Sequence, residues 1–498
     1  MNNRTSDTDT LDSVALVKAA LLFLGTFALY FATRSPALDQ HDSVQFAMGV
    51  LDFNLWKHQP HPPGYPLFIF LGWIGDKVFG VGPELSLHFV SAIGGALFIA
   101  VWFLIIRLQF NERFAWWMAS CLAITPAVWM TATKVLTDSL AAGLLSAEIL
   151  AVLYFLKREC RAALLSAALL GATAAGARPQ LILVVLVILI TALWRGRAPM
   201  KMSILALALL IAGCLVWLLP MSYTQWRLKP EMSFLSVYPK LAYQQWHWRL
   251  DKPGTYLGAG DWSPRYLGTR FVFHFLGWFG LGFGFIRSLC VLAIGSVIAI
   301  AGLASYFSRI RKLGDGEFWK LHAPWALTHV AVIFICLSPA QRYYIIIFPL
   351  LWVALLRGFL QMRSPWNWAA VALPALLLYV VVPLAIDNHR REPPALRLVR
   401  YLARLYPTDR RKDVVLLFNN VRRHAEWYAP GFVTFREIPP ARDLPRVVAG
   451  AAAVYSDNAK APLPPGWRRV PLAVFTRSAI IYWEHHSVTL YLIDRRDR

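Results

Sequence analysis

Residues 40–68 read QHDSVQFAMGVLDFNLWKHQPHPPGYPLF and follow directly on the first apolar run of the chain, which ends near residue 33. The segment holds three histidines, two aspartates and four prolines. Ionisable side chains beside a membrane span are costly and usually face a cavity, a partner or a substrate. The segment therefore predicts a polar site where the first span meets the membrane surface.

The composition of the whole chain indicates that such spans are numerous. Of its 498 residues, 57% are hydrophobic and only 16% are charged, whereas soluble domains carry about 25% charged residues. A soluble protein built around one core is therefore excluded. The composition predicts a polytopic α-helical membrane protein.

The formal charge of +22 and the five cysteines narrow the possible partners. In a membrane protein, an excess of Lys and Arg marks the loops kept on the cytoplasmic side, so the charge does not indicate nucleic acid. The cysteines lie in or beside apolar segments without CxxC spacing. Neither a zinc site nor a disulfide framework is predicted.

The apolar runs of about 17 to 25 residues predict about eleven transmembrane helices. Nine are single runs, and residues 162–194, interrupted at Arg178-Pro179, make two shorter spans. The single runs are 14–33, 85–106, 114–133, 137–156, 203–223, 287–307, 322–338, 344–360 and 366–386.

Basic loops set the predicted orientation. Five connections rich in Lys and Arg fall on alternate loops, as the positive-inside rule requires; they are 107–113, 157–161, 195–201, 309–320 and 357–363. The N-terminus is then cytoplasmic, the first run is an uncleaved anchor, and residues 34–84 and 224–286 form two external loops. The apolar stretches 65–79 and 271–285 are interpreted as juxtamembrane or re-entrant helices that do not fully cross.

The composition changes at residue 387, which divides a membrane domain (1–386) from a C-terminal domain (387–498). Short β-rich runs at 414–418, 433–438, 451–455 and 488–493 alternate with a helical pattern at 421–428. This arrangement predicts a small soluble α/β domain on the external side. It carries no nucleophile elbow, P-loop or metal-ligand spacing, and a supporting role is expected for it.

Asp42 is the first candidate of the opening segment. Asp42-Ser43-Val44-Gln45 matches a helix capping box, and capping is the more common role for an aspartate in this pattern. The helix that it starts would run to about Leu51 along the membrane surface. Asp42 would then face the external cavity, where a carboxylate can also act as a base.

His58, His61 and Tyr65 lie in the proline-rich part of the segment. Two histidines three residues apart, without a carboxylate or cysteine beside them, make a weak metal site. The two histidines are therefore expected to contact an anion or a hydroxyl group.

Other ionisable residues recur at predicted external ends of spans. Lys134 and Asp138 flank one short connection, and pairing with each other explains them as well as ligand binding does. Arg178 and Arg342, the latter followed by Tyr343, have no obvious local acid, which favours an anionic ligand. Glu148 lies deeper in the same span as Asp138 and is interpreted as a structural hydrogen-bonding group or as a residue that supports the side chains in contact with substrate.

These segments resemble the GT-C superfamily of integral-membrane glycosyltransferases, notably protein O-mannosyltransferases and lipid A aminoarabinose transferases. The resemblance extends over the membrane part: an early external Asp, then HPPGYPLF (61–68), VLTDSLAAG (135–143), GARPQ (176–180) and SPAQRYYIIIFPLL (338–351). Members of such families also carry an external C-terminal domain.

The resemblance implies a GT-C-type fold and a sugar donor linked to polyprenyl phosphate. Asp42 would be the general base of an inverting transfer to a hydroxyl acceptor. His61 and Arg342 would lie beside the donor phosphate, and Asp138 and Tyr65 beside the sugar or acceptor. Several relatives carry an acidic pair in the first loop where this chain has Asp42-Ser43. No cofactor is therefore expected, and transfer independent of a divalent metal is predicted.

The acceptor stays open among lipid A, another glycan lipid, a cell-wall polymer and a protein. The implied location is the plasma (inner) membrane, with membrane lipids as further partners and the chemistry on the extracytoplasmic side. A transporter or flippase of a lipid-linked substrate is the alternative, although it favours inverted repeats and charges at mid-membrane depth. A structural scaffold would leave the external Asp, His and Arg unexplained.

Overall fold

The computed structural model describes residues 11–250, 264–275, 283–284, 288–336, 340–478 and 486–495. In the described residues, helices and the loops between them make up the membrane part. Its helices are α1 (Ser13–Ala32), α2 (His41–Leu51), α3 (Pro66–Lys77), α4 (Pro83–Gln109), α5 (Glu112–Ala123), α6 (Pro126–Ala132), α7 (Thr137–Arg158), α8 (Arg161–Ala177), α9 (Ile182–Arg195), α10 (Met200–Leu228), α11 (Phe234–Leu250), α12 (Pro264–Phe275), α13 (Leu289–Leu313), α14 (Gly316–Cys336), α15 (Phe348–Leu360) and α16 (Ala369–Arg390). Short 3₁₀ helices lie at Leu55–Lys57, Pro179–Leu181, Gln341–Ile347 and Trp366–Trp368.

Eight helical segments of the described residues are long and apolar enough to cross a membrane, or nine if α5 and α6, bent by 64°, count as one span. α8 and the segment Pro179–Arg195 are shorter apolar helices, as the predicted interruption at Arg178-Pro179 requires. The prediction of a polytopic helical protein is confirmed, and the count of eleven spans stays a prediction.

α3 occupies the apolar stretch that was expected not to cross. It has 12 residues and is about 18 Å long at 1.5 Å per residue, too short for a hydrocarbon core of about 30 Å. It packs against α2 and α4. The second such stretch, 271–285, lies largely outside the described residues, which include only the end of α12 and residues 283–284.

α4 and α7 form the centre of the membrane part, and small residues bring them together. A Cβ atom on Gly94 would lie 2.4 Å from Leu140 Cα, and one on Gly143 would lie 2.7 Å from the Gly94 carbonyl oxygen. Glycines allow such close backbone approach between helices in a membrane. This contact fixes the position of the first turn of α7, which carries Asp138.

The C-terminal domain is a small α/β unit, as predicted. Its elements are α17 (Pro394–Leu405), a 3₁₀ helix (Thr408–Asp413), β1 (Val414–Leu417), α18 (Arg422–Tyr428), β2 (Val433–Thr434), α19 (Leu444–Val447), β3 (Ala453–Ser456), β4 (Trp467–Thr476) and β5 (Ser487–Arg495). The sheet order is β2-β1-β3-β5-β4. β1 runs parallel to β2 and β3, and β5 runs antiparallel to β3 and β4.

The sequence analysis did not predict strand β4. Its sequence, WRRVPLAVFT, holds two arginines and a proline, and such residues weaken a strand signal. β4 is an edge strand, where proline and charged side chains are tolerated and discourage pairing with another chain. The strand pattern is therefore that of an edge and not of a core strand.

The C-terminal domain docks on the start of the opening segment. The Tyr428 hydroxyl accepts a hydrogen bond from the Leu38 N–H (2.9 Å) and donates one to Glu84 (3.0 Å). Trp427 Nε1 donates to the same carboxylate at 2.6 Å. α18 packs against α2, so the domain covers the helix that carries Asp42.

Candidate active site

Asp42 is the second residue of α2 and not its cap, contrary to the prediction. The helix begins at His41 with Gln40 as its N-cap, and the Ser43 hydroxyl accepts from the Gln40 N–H at 3.4 Å. That hydroxyl also donates to the Val135 carbonyl at 2.9 Å, so it ties the helix start to the loop before α7. The Asp42 carboxylate lies in the first turn of α2, where the positive end of the helix dipole favours its charge.

Arg342 reaches Asp42 from 300 residues further along the chain. Its Nη2 lies 3.0 Å from Asp42 Oδ2 and also donates to the Tyr343 hydroxyl at 3.0 Å, while Nη1 donates to the Gln40 side chain. The arginine is buried, but 29% of the Asp42 side chain is exposed. The carboxylate of this pair is therefore accessible from the solvent, whereas the guanidinium is buried.

His61 lies on the other side of Asp42, with Nδ1 3.7 Å from Oδ1. The same Nδ1 is 2.9 Å from Gln45 Oε1, and Nε2 is 3.0 Å from the Tyr65 hydroxyl. The ring also packs near Phe46, with centroids 5.7 Å apart. The proline-rich loop thus returns His61 onto α2, where these contacts fix the plane of the imidazole.

Tyr65 connects this group to the interruption between α8 and α9. Its hydroxyl accepts from Gln180 Nε2 at 3.2 Å, and burial raises the pKa of Tyr65 to about 12. The phenol therefore stays protonated at neutral pH and can act as a hydrogen-bond donor.

Asp138 and Arg178 form a buried ion pair with each other. Arg178 has no acidic residue near it in the sequence, and folding supplies one from 40 residues away, in the first turn of α7. The Arg178 guanidinium also lies 4.8 Å from the centre of the Tyr343 ring, and that of Arg342 lies 5.0 Å from it. Tyr343 thus joins the Asp138–Arg178 pair to the Asp42–Arg342 pair.

Lys134 pairs with Asp39, and Asp138 pairs with Arg178, whereas the sequence had left open a pairing of Lys134 with Asp138. Lys134 Nζ lies 3.1 Å from Asp39 Oδ2, and Arg477 of the C-terminal domain lies 3.1 Å from Oδ1. All three side chains are buried. Burial lowers the pKa of Lys134, and the charge of Asp39 opposes this shift. Lys134 and Arg342 line one small cavity together.

His58 faces the C-terminal domain. It has a left-handed backbone conformation with φ of 57°. Burial first, and then the charges of Arg436, His61, Arg423 and Arg422, lower its pKa to about 4. Arg422, Arg423 and Arg436 all belong to the C-terminal domain. The predicted contact of His58 with substrate stays a prediction.

Several site residues were missed by the sequence analysis. Gln40, Gln45 and Gln180 each hold a candidate side chain in place, and Asp39 anchors Lys134. Amides give little signal in a single sequence, because their role depends on which neighbour they meet. Gln180 had the clearest signal, since it follows the Arg178-Pro179 interruption.

Two further observations concern ligands and Glu148. Among the residues that the structure describes, no group of three or more His, Cys, Asp or Glu side chains is placed to share a metal ion. Glu148 is fully buried in α7, and neither of its carboxyl oxygens has a hydrogen-bond partner in the described part of the chain. These residues do not provide the hydrogen bonds expected of Glu148, and its role in support of the site stays a prediction.

Comparisons with known proteins agree with the fold. Residues 60–223 match the family model described as dolichyl-phosphate-mannose-protein mannosyltransferase. A protein O-mannosyl-transferase tmem260 from Dictyostelium discoideum is 25% identical over 114 residues. That match spans 22% of this chain and only 13% of the relative.

The match to solved structures covers nearly the whole chain. ArnT from Cupriavidus metallidurans bound to undecaprenyl phosphate superposes with a TM-score of 0.54 at 16% identity, covering 96% of this chain and 97% of that one. The apo form of the same enzyme gives 0.53 at 14% identity, covering 96% and 98%. At this identity the likeness shows the fold, which includes the small C-terminal domain.

Proposed function

We propose that this chain, whose fold is like that of ArnT, is a membrane protein of the GT-C superfamily and transfers a sugar from a polyprenyl-phosphate donor to a hydroxyl acceptor. The observation that carries the proposal is the placement of Asp42. Its half-open carboxylate lies between a buried guanidinium at 3.0 Å and an imidazole at 3.7 Å. A base beside a phosphate-binding cation is what such a transfer needs.

In the proposed reaction, Asp42 accepts the proton of the acceptor hydroxyl as that oxygen forms a bond to the anomeric carbon. The bond between this carbon and the phosphate oxygen breaks, and the lipid phosphate leaves with the electron pair. One displacement inverts the anomeric configuration. A positioned general base contributes about 10² to 10⁴-fold to such a rate.

Arg342 has two functions in this proposal. Its planar fork binds the leaving phosphate through two hydrogen bonds, and before the donor arrives it holds Asp42 in place. A phosphate that takes over the guanidinium would release the carboxylate toward the acceptor. His61, whose two ring nitrogens contact Gln45 and Tyr65, would exchange one of these contacts in order to donate a hydrogen bond to the same phosphate.

The remaining candidates are assigned to positioning and substrate contact. Asp138 neutralises the charge of Arg178, so Arg178 would not bind the donor phosphate. The pair would instead position Tyr343 and contact the sugar. Lys134 would add positive potential behind Arg342 through their shared cavity. Tyr65 would contact the sugar or acceptor with its protonated hydroxyl.

The finer parts of the proposal concern location and partners. The chemistry would take place on the extracytoplasmic side of the plasma membrane, with a cytoplasmic N-terminus and an external C-terminal domain. ArnT, which shares the fold, was solved with undecaprenyl phosphate, and this supports a polyprenyl-phosphate carrier here. The acceptor would be a lipid, glycan or protein hydroxyl, and transfer would not need a metal.

The first prediction is that Asp42→Asn lowers the rate of sugar transfer by about 10² to 10⁴-fold, because the amide cannot accept the proton. The purified full-length protein would be assayed with labelled sugars on polyprenyl phosphate and a pool of envelope acceptors. Asp52→Asn is the matched control: Asp52 ends the same helix and forms an exposed pair with Lys57 at 3.1 Å. Exposed pairs contribute little, so this variant should stay near the parent rate.

Full activity in Asp42→Asn would refute the base assignment. Movement of the lipid-linked sugar across liposomes without transfer to any acceptor would instead identify a flippase. Loss of activity after chelation, restored by a divalent cation, would overturn metal independence alone.

A further inference from the structure

A second basic site lies outside the candidate active site, where α17 meets the end of the last membrane span. Four arginines line an open cleft of about 500 Å³, which we call the arginine cleft. They are Arg391, Arg397, Arg400 and Arg404. Glu392 is the one acidic side chain of the lining that the structure describes, and Asp387, outside the lining, pairs with Arg391 at 2.9 Å. With both carboxylates counted against the four arginines, the cleft keeps an excess of two positive charges.

The sequence of α17 creates this charged face. Its residues PALRLVRYLARL place Arg397, Arg400 and Arg404 three and four positions apart, which brings them to one side of a helix. Leu398 and Leu402, on the other side, are buried against the sheet. Because the buried side fixes the helix, the three arginines are held as a row.

Aromatic contacts shape the cleft further. The guanidinium of Arg397 lies 5.7 Å from the centre of the Phe475 ring, and it donates to the Thr476 carbonyl at 3.3 Å. Phe475 in turn packs against Tyr401, with ring centres 6.1 Å apart. Arg400 pairs with Glu392. These contacts restrict the side-chain conformations of Arg397 and Arg400 before any ligand binds. Little conformational entropy is therefore lost when they bind an anion.

The cleft adjoins the C-terminal end of α16. α16 belongs to the last candidate span and ends at Arg390, Arg391 is its C-cap, and α17 begins at Pro394. Arginines at the end of a span lie among lipid headgroups. The cleft that Arg391 lines is therefore within reach of a headgroup phosphate.

A stripe of exposed side chains on α16 ends next to Arg391 of the arginine cleft. Val382 and Ile386 are exposed apolar side chains four residues apart, and the exposed Arg390 follows four residues later on the same face. Lipid tails that pack along Val382 and Ile386 would have their headgroup beside Arg390 and the cleft. The stripe and the cleft together match one molecule with an apolar tail and an anionic head.

We propose that the arginine cleft binds the phosphate headgroup of an anionic phospholipid whose tails lie along α16. Guanidinium groups bind phosphate through paired hydrogen bonds, which lysines cannot reproduce. The bound lipid would hold the C-terminal domain to the membrane surface. This site is independent of the proposed sugar transfer, since none of its residues contributes to the candidate active site.

The test is a lipid titration of the purified full-length protein in neutral detergent, followed by native mass spectrometry. The parent should bind phosphatidylglycerol at least tenfold more tightly than phosphatidylcholine with the same chains. The variant R397A/R400A/R404A should lose this preference. The control R410A/R442A/R446A removes the same charge from other exposed positions of the domain and should bind within twofold of the parent.

A lysine variant, R397K/R400K/R404K, keeps the charge and removes the paired donors, so it should bind at an intermediate level. It also serves if the alanine variant fails to fold. An equal loss of the preference for phosphatidylglycerol in the control variant would overturn the proposal. An unchanged preference in both the alanine and the lysine variant would also overturn it. Saturation by inorganic phosphate at the concentrations that suffice for the phospholipid would show a free-phosphate site and refute the lipid as occupant.

Discussion

Tyr343 is the side chain on which the two site arginines meet. Its ring lies within 5.0 Å of both guanidinium carbons, and its hydroxyl accepts from Arg342. The electron-rich face of an aromatic ring attracts cations, so Tyr343 lowers the cost of keeping two buried arginines close together. Each arginine has its own carboxylate, Asp138 or Asp42.

Substitution of Tyr343 should separate these contributions. Tyr343→Phe keeps both cation–π contacts and loses one hydrogen bond of about 1 kcal/mol, so kcat/KM for transfer should fall about fivefold. Tyr343→Leu also loses two contacts of about 1 kcal/mol each, which extends the loss to about 10²-fold. Steady-state kinetics on both variants give the comparison. Equal losses would mean that the ring face contributes nothing.

At the scale of elements, the loop between α2 and α3 is held between the membrane part and the C-terminal domain. His61 at one end of the loop contacts α2, whereas His58 lies among the basic residues of α18 and Arg436. The Lys57 carbonyl accepts from Arg423. The loop is thus part of the contact between the two domains.

This contact should weaken in mild acid because of His58. Its pKa is lowered from 6.5 in the unfolded chain to about 4 in the folded protein. Between these values the unfolded chain binds the proton and the folded protein does not, so the contribution of His58 to stability is lost as pH falls from 6.5 toward 4.

His58→Asn should therefore show a smaller decrease in Tm between pH 7 and pH 4.5 than the parent. Asparagine tolerates the left-handed backbone at this position and does not titrate. Thermal unfolding in a series of buffers measures the difference. A decrease as large as that of the parent would show that His58 does not contribute to the pH dependence.

At the scale of the whole molecule, one buried ion cluster joins the C-terminal domain to the candidate active site. Arg477 lies 438 residues from Asp39, which is three residues before Asp42, and it also donates to the Asn388 carbonyl at 2.8 Å. Asp39 in turn holds Lys134. The C-terminal domain therefore supports the segment that positions the proposed base.

Arg477→Met should destabilise the protein and lower kcat with little change in KM for the donor. Removal of one member of a buried pair costs about 3–5 kcal/mol, and Asp39 would retain only Lys134. The phosphate contacts of Arg342 would remain. Thermal unfolding and transfer kinetics on the same preparation measure both effects.

Arg468→Met is the control, because Arg468 lies on β4, which ends one residue before Arg477, and forms an exposed pair with Asp494 at 2.7 Å. Exposed pairs contribute about 0–1 kcal/mol, so the Tm and kcat of this variant should stay near those of the parent. Similar effects in both variants would refute a special role for the cluster around Asp39.

The sequence by itself determined the class of the molecule and most of the candidates. Apolar runs, basic loops and the change in composition near residue 387 are local properties, because burial in lipid depends on the length and polarity of each segment. They predicted the helical membrane part and the α/β domain. Asp42, His61, Tyr65, Arg342 and Tyr343 were chosen from short motifs, and the structure brings them together.

Only the tertiary structure decided which charges neutralise each other. Lys134 is four residues from Asp138 in the chain but pairs with Asp39, and Asp138 pairs with Arg178 instead. A buried charge needs a partner within a few ångströms, and folding supplies that partner from any part of the chain. For the same reason the link from Arg477 to Asp39 was beyond prediction, since their distance in sequence carries no information about their distance in space.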